Sequence, residues 1–168
     1  DKLCVHEYLT PKLFDLARSQ GFQGDIASQY HVARKVMPGN SQEMYRAHFD
    51  SHMYTLVLPI RIPTSKSAGD AGDLIYFTKA RNMPKNEIIN FFGKVWFKLF
   101  ASRKGIKKFA HTHTQMTNNF LDYEPLLFIG NTTLHTNKQV SSDCSEPRLT
   151  LLAHFFDPSP KYGIGGIL

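Results

Sequence analysis

The sequence predicts a mainly β domain, a sandwich or barrel with helical additions, and three observations carry that expectation. Seven stretches, 28–37, 44–50, 53–62, 73–78, 125–129, 131–136 and 148–156, are rich in β-branched and aromatic residues, with Gly, Pro, Asn, Asp and Ser clusters between them. Only 11–20 and 85–104 follow a helical period instead. With 168 residues, 42% of them hydrophobic, the chain suits one domain over 1–168 with a real core, and no apolar run approaches the roughly 18–20 residues of a membrane span.

Taken in order, Thr10 is a candidate N-cap, Pro11 suits the first helical position and Gly21 a helix stop, which predicts a short helix over 11–20. In LVLPIRIP, Pro59 and Pro63 cannot donate to a ladder, so this strand is expected at an edge, bulged or interrupted. SKSAGDAGD at 65–73 reads as a turn. Residues 85–104 place Ile88, Ile89, Phe91, Phe92, Val95, Trp96, Leu99 and Phe100 on one half of a helical wheel, with Glu87, Asn90, Lys94 and Lys98 opposite. An amphipathic helix is therefore expected between strands, and HTHTQMTNN after it reads as a polar loop.

The net charge of +6 is carried by one segment. Seven basic residues against one acid lie between Pro84 and Phe109, and the rest of the chain balances. A basic helical insertion at about 84–109 on a neutral protein differs from the broad basic face of a dedicated nucleic-acid binder, so no nucleic-acid partner is expected. Cys4 and Cys144 lack metal or redox spacing, and the start DKLCVHEYL lacks the basic and apolar parts of a signal peptide. A soluble protein of a reducing, cytoplasmic compartment is the expectation.

Chemistry is concentrated in a few side chains. In His48-Phe49-Asp50 an extended backbone turns the imidazole and the carboxylate to the same side. One distant histidine, His135 in LLFIGNTTLHTN, would complete a 2-His-1-carboxylate set of the kind that holds non-haem Fe(II) with open positions. In EPRLTLLAHFF, Arg148, Thr150, Leu152 and His154 share one strand face, so Arg148 offers a bidentate fork for a carboxylate and Thr150 a hydroxyl beside it. His154 reads as a core histidine on that face. Arg46 shares the direction of His48 and is a candidate for gripping a substrate carboxylate, and Asn131 and Thr133 share the parity of His135 as candidate pocket lining. His111 and His113 have metal-ligand spacing but lie in the presumed loop.

The order of these motifs, H-x-D, then GDLIYF, then a distal His and an R-x-T one strand later, resembles the Fe(II)/2-oxoglutarate-dependent dioxygenases, closest to the branch of phytanoyl-CoA-type hydroxylases and small-molecule biosynthetic oxygenases. The resemblance spans roughly 44–157 and implies a double-stranded β-helix, or cupin-like jelly roll. It implies that His48, Asp50 and His135 ligate iron and that Arg148 and Thr150 hold the distal carboxylate of 2-oxoglutarate, with O2 and a small organic molecule as the other reactants. Relatives that halogenate have a small residue at the carboxylate position, so Asp50 implies hydroxylation, or desaturation or ring closure from the same chemistry. The basic insertion departs from the pattern, lengthening the separation of His48 and His135 to 87 residues.

Two other classes fit the composition. One is a non-catalytic β-sandwich module whose basic helix binds anionic membrane or nucleic acid. The other is a zinc- or nickel-bound cupin of different chemistry. Within the oxygenase reading the 84–109 helix covers core, closes the pocket as a lid, or rests on a membrane.

Overall fold

A computed structural model describes residues 5–41, 46–64, 71–83, 92–93, 95 and 103–157. Within them the chain is mainly β and forms two antiparallel sheets. A π-helical turn, Val5–Leu9, runs into α1 (Thr10–Ser19). Then come β1 (Gln29–Val36), β2 (Tyr54–Arg61), β3 (Leu74–Phe77), α2 (Arg103–Ala110), β4 (Met116–Asn118), β5 (Leu126–Ile129), β6 (Leu134–Asn137) and β7 (Arg148–Phe155). One sheet has the order β1-β7-β2-β5 and the other β4-β3-β6.

The period-2 alternation of each strand builds the layers. Tyr54 and Leu56 of β2 and Ala153 and Phe155 of β7 face outward, where Leu13 and Ala17 of α1, with Phe22 and Phe156, cover them. Val57 of β2, Leu74 and Tyr76 of β3, and Phe128 of β5 meet between the sheets. Ile75 and Phe77 of β3 and Leu134 of β6 turn away from that interior and are covered by Ile106 and Phe109 of α2. The result is a two-sheet sandwich with a helix on each outer face.

Several sequence expectations change in physical detail. Helix α1 starts at Thr10 without a side-chain cap, because the preceding π-helical turn already feeds its first amides. Its end follows the sequence: Gly21 is left-handed (φ 85°), and the amides of Gly21 and Phe22 return to Arg18 and Ala17, a Schellman closure. The proline-bearing strand is internal, yet its pairing with β7 is irregular between Pro59 and Arg61, and β5 pairs only with Tyr54–Val57, so the prolines lie beyond that ladder. Residues 46–50 form no strand and contribute a single bridge, His48 to His135. Met116–Asn118 of the presumed loop is a short strand, recruited by pairing with β3. Most of 85–104 lies outside the described residues, where only Phe92, Gly93 and Val95 are seen to be helical; the helix that packs on the sheet, α2, begins at Arg103.

The turn after β7 locks the two ends of the sandwich together. Phe156 is fully buried with a left-handed backbone (φ 61°), its amide donating to Ser28 O and its carbonyl accepting from Met53 N. Its ring meets those of Phe14, Phe22 and Tyr54. Phe156→Ala is expected to destabilise the protein by about 3–5 kcal/mol, read as a lower urea midpoint with an unchanged slope.

Candidate metal centre

The chain segment before β2 crosses from one sheet to the other, and this crossing makes the site. His48 N–H donates to His135 O at 3.0 Å and His135 N–H to His48 O at 3.1 Å, a reciprocal antiparallel pair that sets the two imidazoles side by side. Two residues on, Asp50 N–H donates to Gly130 O at 3.1 Å, which pins the carboxylate against the β5–β6 turn. A Cβ at Gly130 would lie 2.8–2.9 Å from His52 O, Asp50 Cβ and Thr55 Oγ1, so this approach requires glycine.

The three side chains converge. Asp50 Oδ1 lies 3.6 Å from His48 Nε2 and 3.7 Å from His135 Nε2, and one donor atom from each residue falls within 4.8 Å of the others. His48 Nδ1 bonds to Arg46 O at 2.8 Å and His135 Nδ1 to Thr133 O at 3.2 Å. A carbonyl accepts only, so each Nδ1 carries a proton; a protonated ring can also donate from Nε2 to Asp50, and a neutral one presents the Nε2 lone pair there. That is the tautomer a metal ligand needs, already fixed by backbone partners. The other carboxylate oxygen is engaged: Thr55 Oγ1 donates to Asp50 Oδ2 at 2.5 Å and lies 3.1 Å from His154 Nδ1. Having given its one proton to Asp50, the hydroxyl accepts from His154 Nδ1–H, and a buried chain His154–Thr55–Asp50 holds Oδ1 toward the histidines. The set can hold one metal ion through two imidazoles and a carboxylate.

Without a metal, the surroundings favour an ionised Asp50 and set the two histidines apart. Burial alone would raise Asp50, but the charges of His135 and His48 and the bonds from His48 and Thr55 hold it well below the usual carboxylate range. Burial pushes His135 down to about 4 and also lowers His154. His48, whose side chain is 52% exposed, moves up: the hydrogen bond and charge of Asp50 outweigh its desolvation.

A cavity of about 220 Å³ runs from these residues between the sheets. Tyr30, Thr55 and His154 stand with the triad at one end; Val32, Val57, Leu74, Phe128 and Leu152 form an apolar collar; Arg34, Asn137, Arg148 and Thr150 line the other end. Arg148 is buried, donates through Nη1 to Gly72 O, and leaves its buried Nε without a partner. Gly72 (φ 82°) is shaped for this, since a Cβ there would lie 2.8 Å from Val140 Cγ2 and 3.3 Å from Arg148 Cδ. Burial, and then the charge of Arg34, lower Arg148 to about 10, so it stays cationic at neutral pH.

No protein-family model, no curated protein and no solved structure matches this chain. The site therefore rests on its own geometry.

Of the residues picked out by sequence, His48, Asp50, His135, Arg148 and Thr150 all face this one cavity, as does His154. Arg46 does not: its side chain is exposed and outside the lining, and it serves the site through its carbonyl. Asn131 and Thr133 are buried beside the cavity and not in its lining. His113 stacks on Phe109 at 3.9 Å and, like His111, belongs to no metal-competent cluster among the described residues. Sequence reasoning missed Tyr30, Arg34, Thr55 and Asn137. The first two share a face in YHVARKV, Thr55 lies two residues before Val57 and Asn137 two after His135, and parity would have grouped each with the site once the inward face was known.

Stability should carry the imprint of the buried histidines. An unfolded histidine titrates near 6.5, so between about pH 6.5 and 4 the unfolded chain binds a proton that native His135 does not, and His154, also lowered, acts in the same direction. Stability of the metal-free protein is therefore expected to fall as pH falls through that window, His135 contributing up to about 3 kcal/mol. His48, shifted upward, is protonated in both states there and leaves the sign unchanged. Urea midpoints from pH 7 to 4 with chelator present check this, and His135→Gln is expected to flatten the slope.

Proposed function

We propose that this chain is an Fe(II)- and 2-oxoglutarate-dependent dioxygenase that oxidises a C–H bond of a small organic substrate, by hydroxylation. The observation that carries the reading is one cavity with an imidazole–carboxylate–imidazole donor set at one end and a buried guanidinium with an unpartnered Nε at the other. Asn137, beside Arg148 in the lining, lies two residues beyond His135 on β6, about 7 Å along the strand. A short dicarboxylate chelating the metal through its 2-oxo acid end and reaching the guanidinium with its distal carboxylate fits that separation.

The strand pairing supports a jelly roll. β1 pairs with β7, the 46–50 segment with β6, β2 with β5, and β3 with β4. First with last, second with next to last, this nested order is that of a long hairpin rolled into two sheets. The second member has shrunk to the His48–His135 bridge, which explains a three-stranded partner sheet.

Iron(II) held by His48, Asp50 and His135 would supply, with 2-oxoglutarate, the activation of O2 that oxidises the substrate while the 2-oxo acid becomes succinate and carbon dioxide. The protein's own part is placement. Arg148 and Thr150 grip the distal carboxylate with a charged fork and a hydroxyl. Thr55 and His154 keep Asp50 Oδ2 occupied, so that Oδ1 alone faces the metal. The collar of Val32, Val57, Leu74, Phe128 and Leu152 excludes water between the two polar ends. His48 is open to solvent, and Tyr30 and Val32 on edge strand β1 are exposed, which marks the side from which a substrate reaches the metal.

Anaerobic addition of Fe(II) and 2-oxoglutarate is expected to give a weak visible absorption band, absent in Asp50→Ala, and admission of O2 to give succinate. A protein that binds Fe(II) tightly at this site yet yields neither band nor succinate would overturn the reading in favour of other cupin metal chemistry. Thr55→Val, which removes the hydroxyl at nearly constant volume, is expected to weaken metal binding by about 10- to 100-fold with the fold intact, measured by calorimetry with Mn(II).

A further inference from the structure

The cavity holds a second guanidinium, which neither the metal set nor the R-x-T motif accounts for. Arg34 is half-buried on β1, on the face that also carries Tyr30, Val32 and Val36 into the cavity. Its cross-strand partner on β7 is Thr150, and the next pair on that face is Val36 with Arg148. Facing residues of an antiparallel pair stand about 5 Å apart at Cβ, so Arg34 rises directly beside Thr150 and diagonally to Arg148. Asn137 ties the group together from the opposite sheet: its Oδ1 accepts from Arg34 Nη1 at 3.3 Å, and its Nδ2 donates at 3.2 Å to Gly72 O, the carbonyl that also accepts from Arg148 Nη1.

We propose that Arg34 and Arg148 form a two-arginine clamp that closes on a single carboxylate, that of the dicarboxylate cosubstrate, from two neighbouring strands. The assignment of the cosubstrate rests on the reading above; the clamp itself rests on this register and on the Asn137 bridge. Two like charges brought together at one end of the cavity repel, and the charge of Arg34 already weakens the hold of Arg148 on its proton. An anion between them reverses that term. Because Arg34 comes from the exposed edge strand and Arg148 from the interior one, the anion also fastens β1 over the cavity.

Calorimetry in the presence of Mn(II), with 2-oxoglutarate and succinate as separate titrants, tests this. Arg34→Gln is expected to weaken 2-oxoglutarate binding about tenfold or more, with Mn(II) affinity within twofold of wild type; Arg148→Gln weakens it at least as much, and Arg34→Lys, which keeps the charge without the fork, restores part of the loss. Unchanged 2-oxoglutarate binding in Arg34→Gln beside a clear loss in Arg148→Gln overturns the clamp and leaves the cosubstrate reading standing. Succinate binding that needs both arginines, without 2-oxoglutarate binding, supports the clamp and overturns that reading. If wild type binds neither acid, both fall.

Discussion

The reciprocal backbone bonds between His48 and His135 are the constraint on which the rest of the site depends. They place two imidazoles 87 residues apart in sequence at 4.3 Å between ring centroids. They also fix where the chain must turn, because Asp50 reaches Gly130 only after His48 has docked on β6. A bridge this short would be weak as a strand. It holds because both flanks are buried, Ala47 and Phe49 against Ile75, Phe77 and Leu134, so the outward side chains of the segment anchor its inward ones.

The cavity is polarised along its length. One end gathers imidazoles around an ionised carboxylate and can hold a cation; the other gathers guanidiniums and attracts anions. The apolar collar between them lowers the local dielectric and strengthens both fields. A ligand that satisfies both ends must join a metal-chelating head to an acidic tail at a set spacing. Under the proposed function, selectivity for chain length would follow from the strand rise rather than from any one contact.

Much of this was legible in the sequence because the decisive signals are local. Parity in EPRLTLLAHFF correctly put Arg148, Thr150, Leu152 and His154 on one inward face, and H-x-D turned both side chains to one side without needing a strand. Parity does not say which face is inward. In YHVARKV one face offers Tyr30, Val32, Arg34 and Val36 and the other His31, Ala33 and Lys35; on an edge strand both are exposed enough to defeat a hydrophobicity rule. Arg34 was illegible for that reason. Thr55 was hidden by size and commonness, since a threonine in a strand is usually only a strand former. Strand β4 owes its existence to β3, a non-local cause that local composition cannot register.

Asp50, Thr55, His135, Arg148, Thr150 and His154 are all buried, half of the buried polar residues among those described. Burying ionisable groups costs several kcal/mol each unless partners compensate, and replacing them with apolar residues of similar volume is often stabilising. Here compensation is incomplete where a ligand would supply it: Arg148 Nε has no partner, and two imidazole Nε2 atoms share one carboxylate oxygen at 3.6 and 3.7 Å. Unpartnered buried oxygens occur elsewhere too, on Gln29, Asp73, Asn131 and Thr136, but Arg148 Nε is the one such atom of a cationic group among the described residues. Unmet polar demand at both ends of one cavity is the mark of a site kept at the expense of stability. The demands differ in sign, so a single ion cannot meet them; a metal and a bound acid together can.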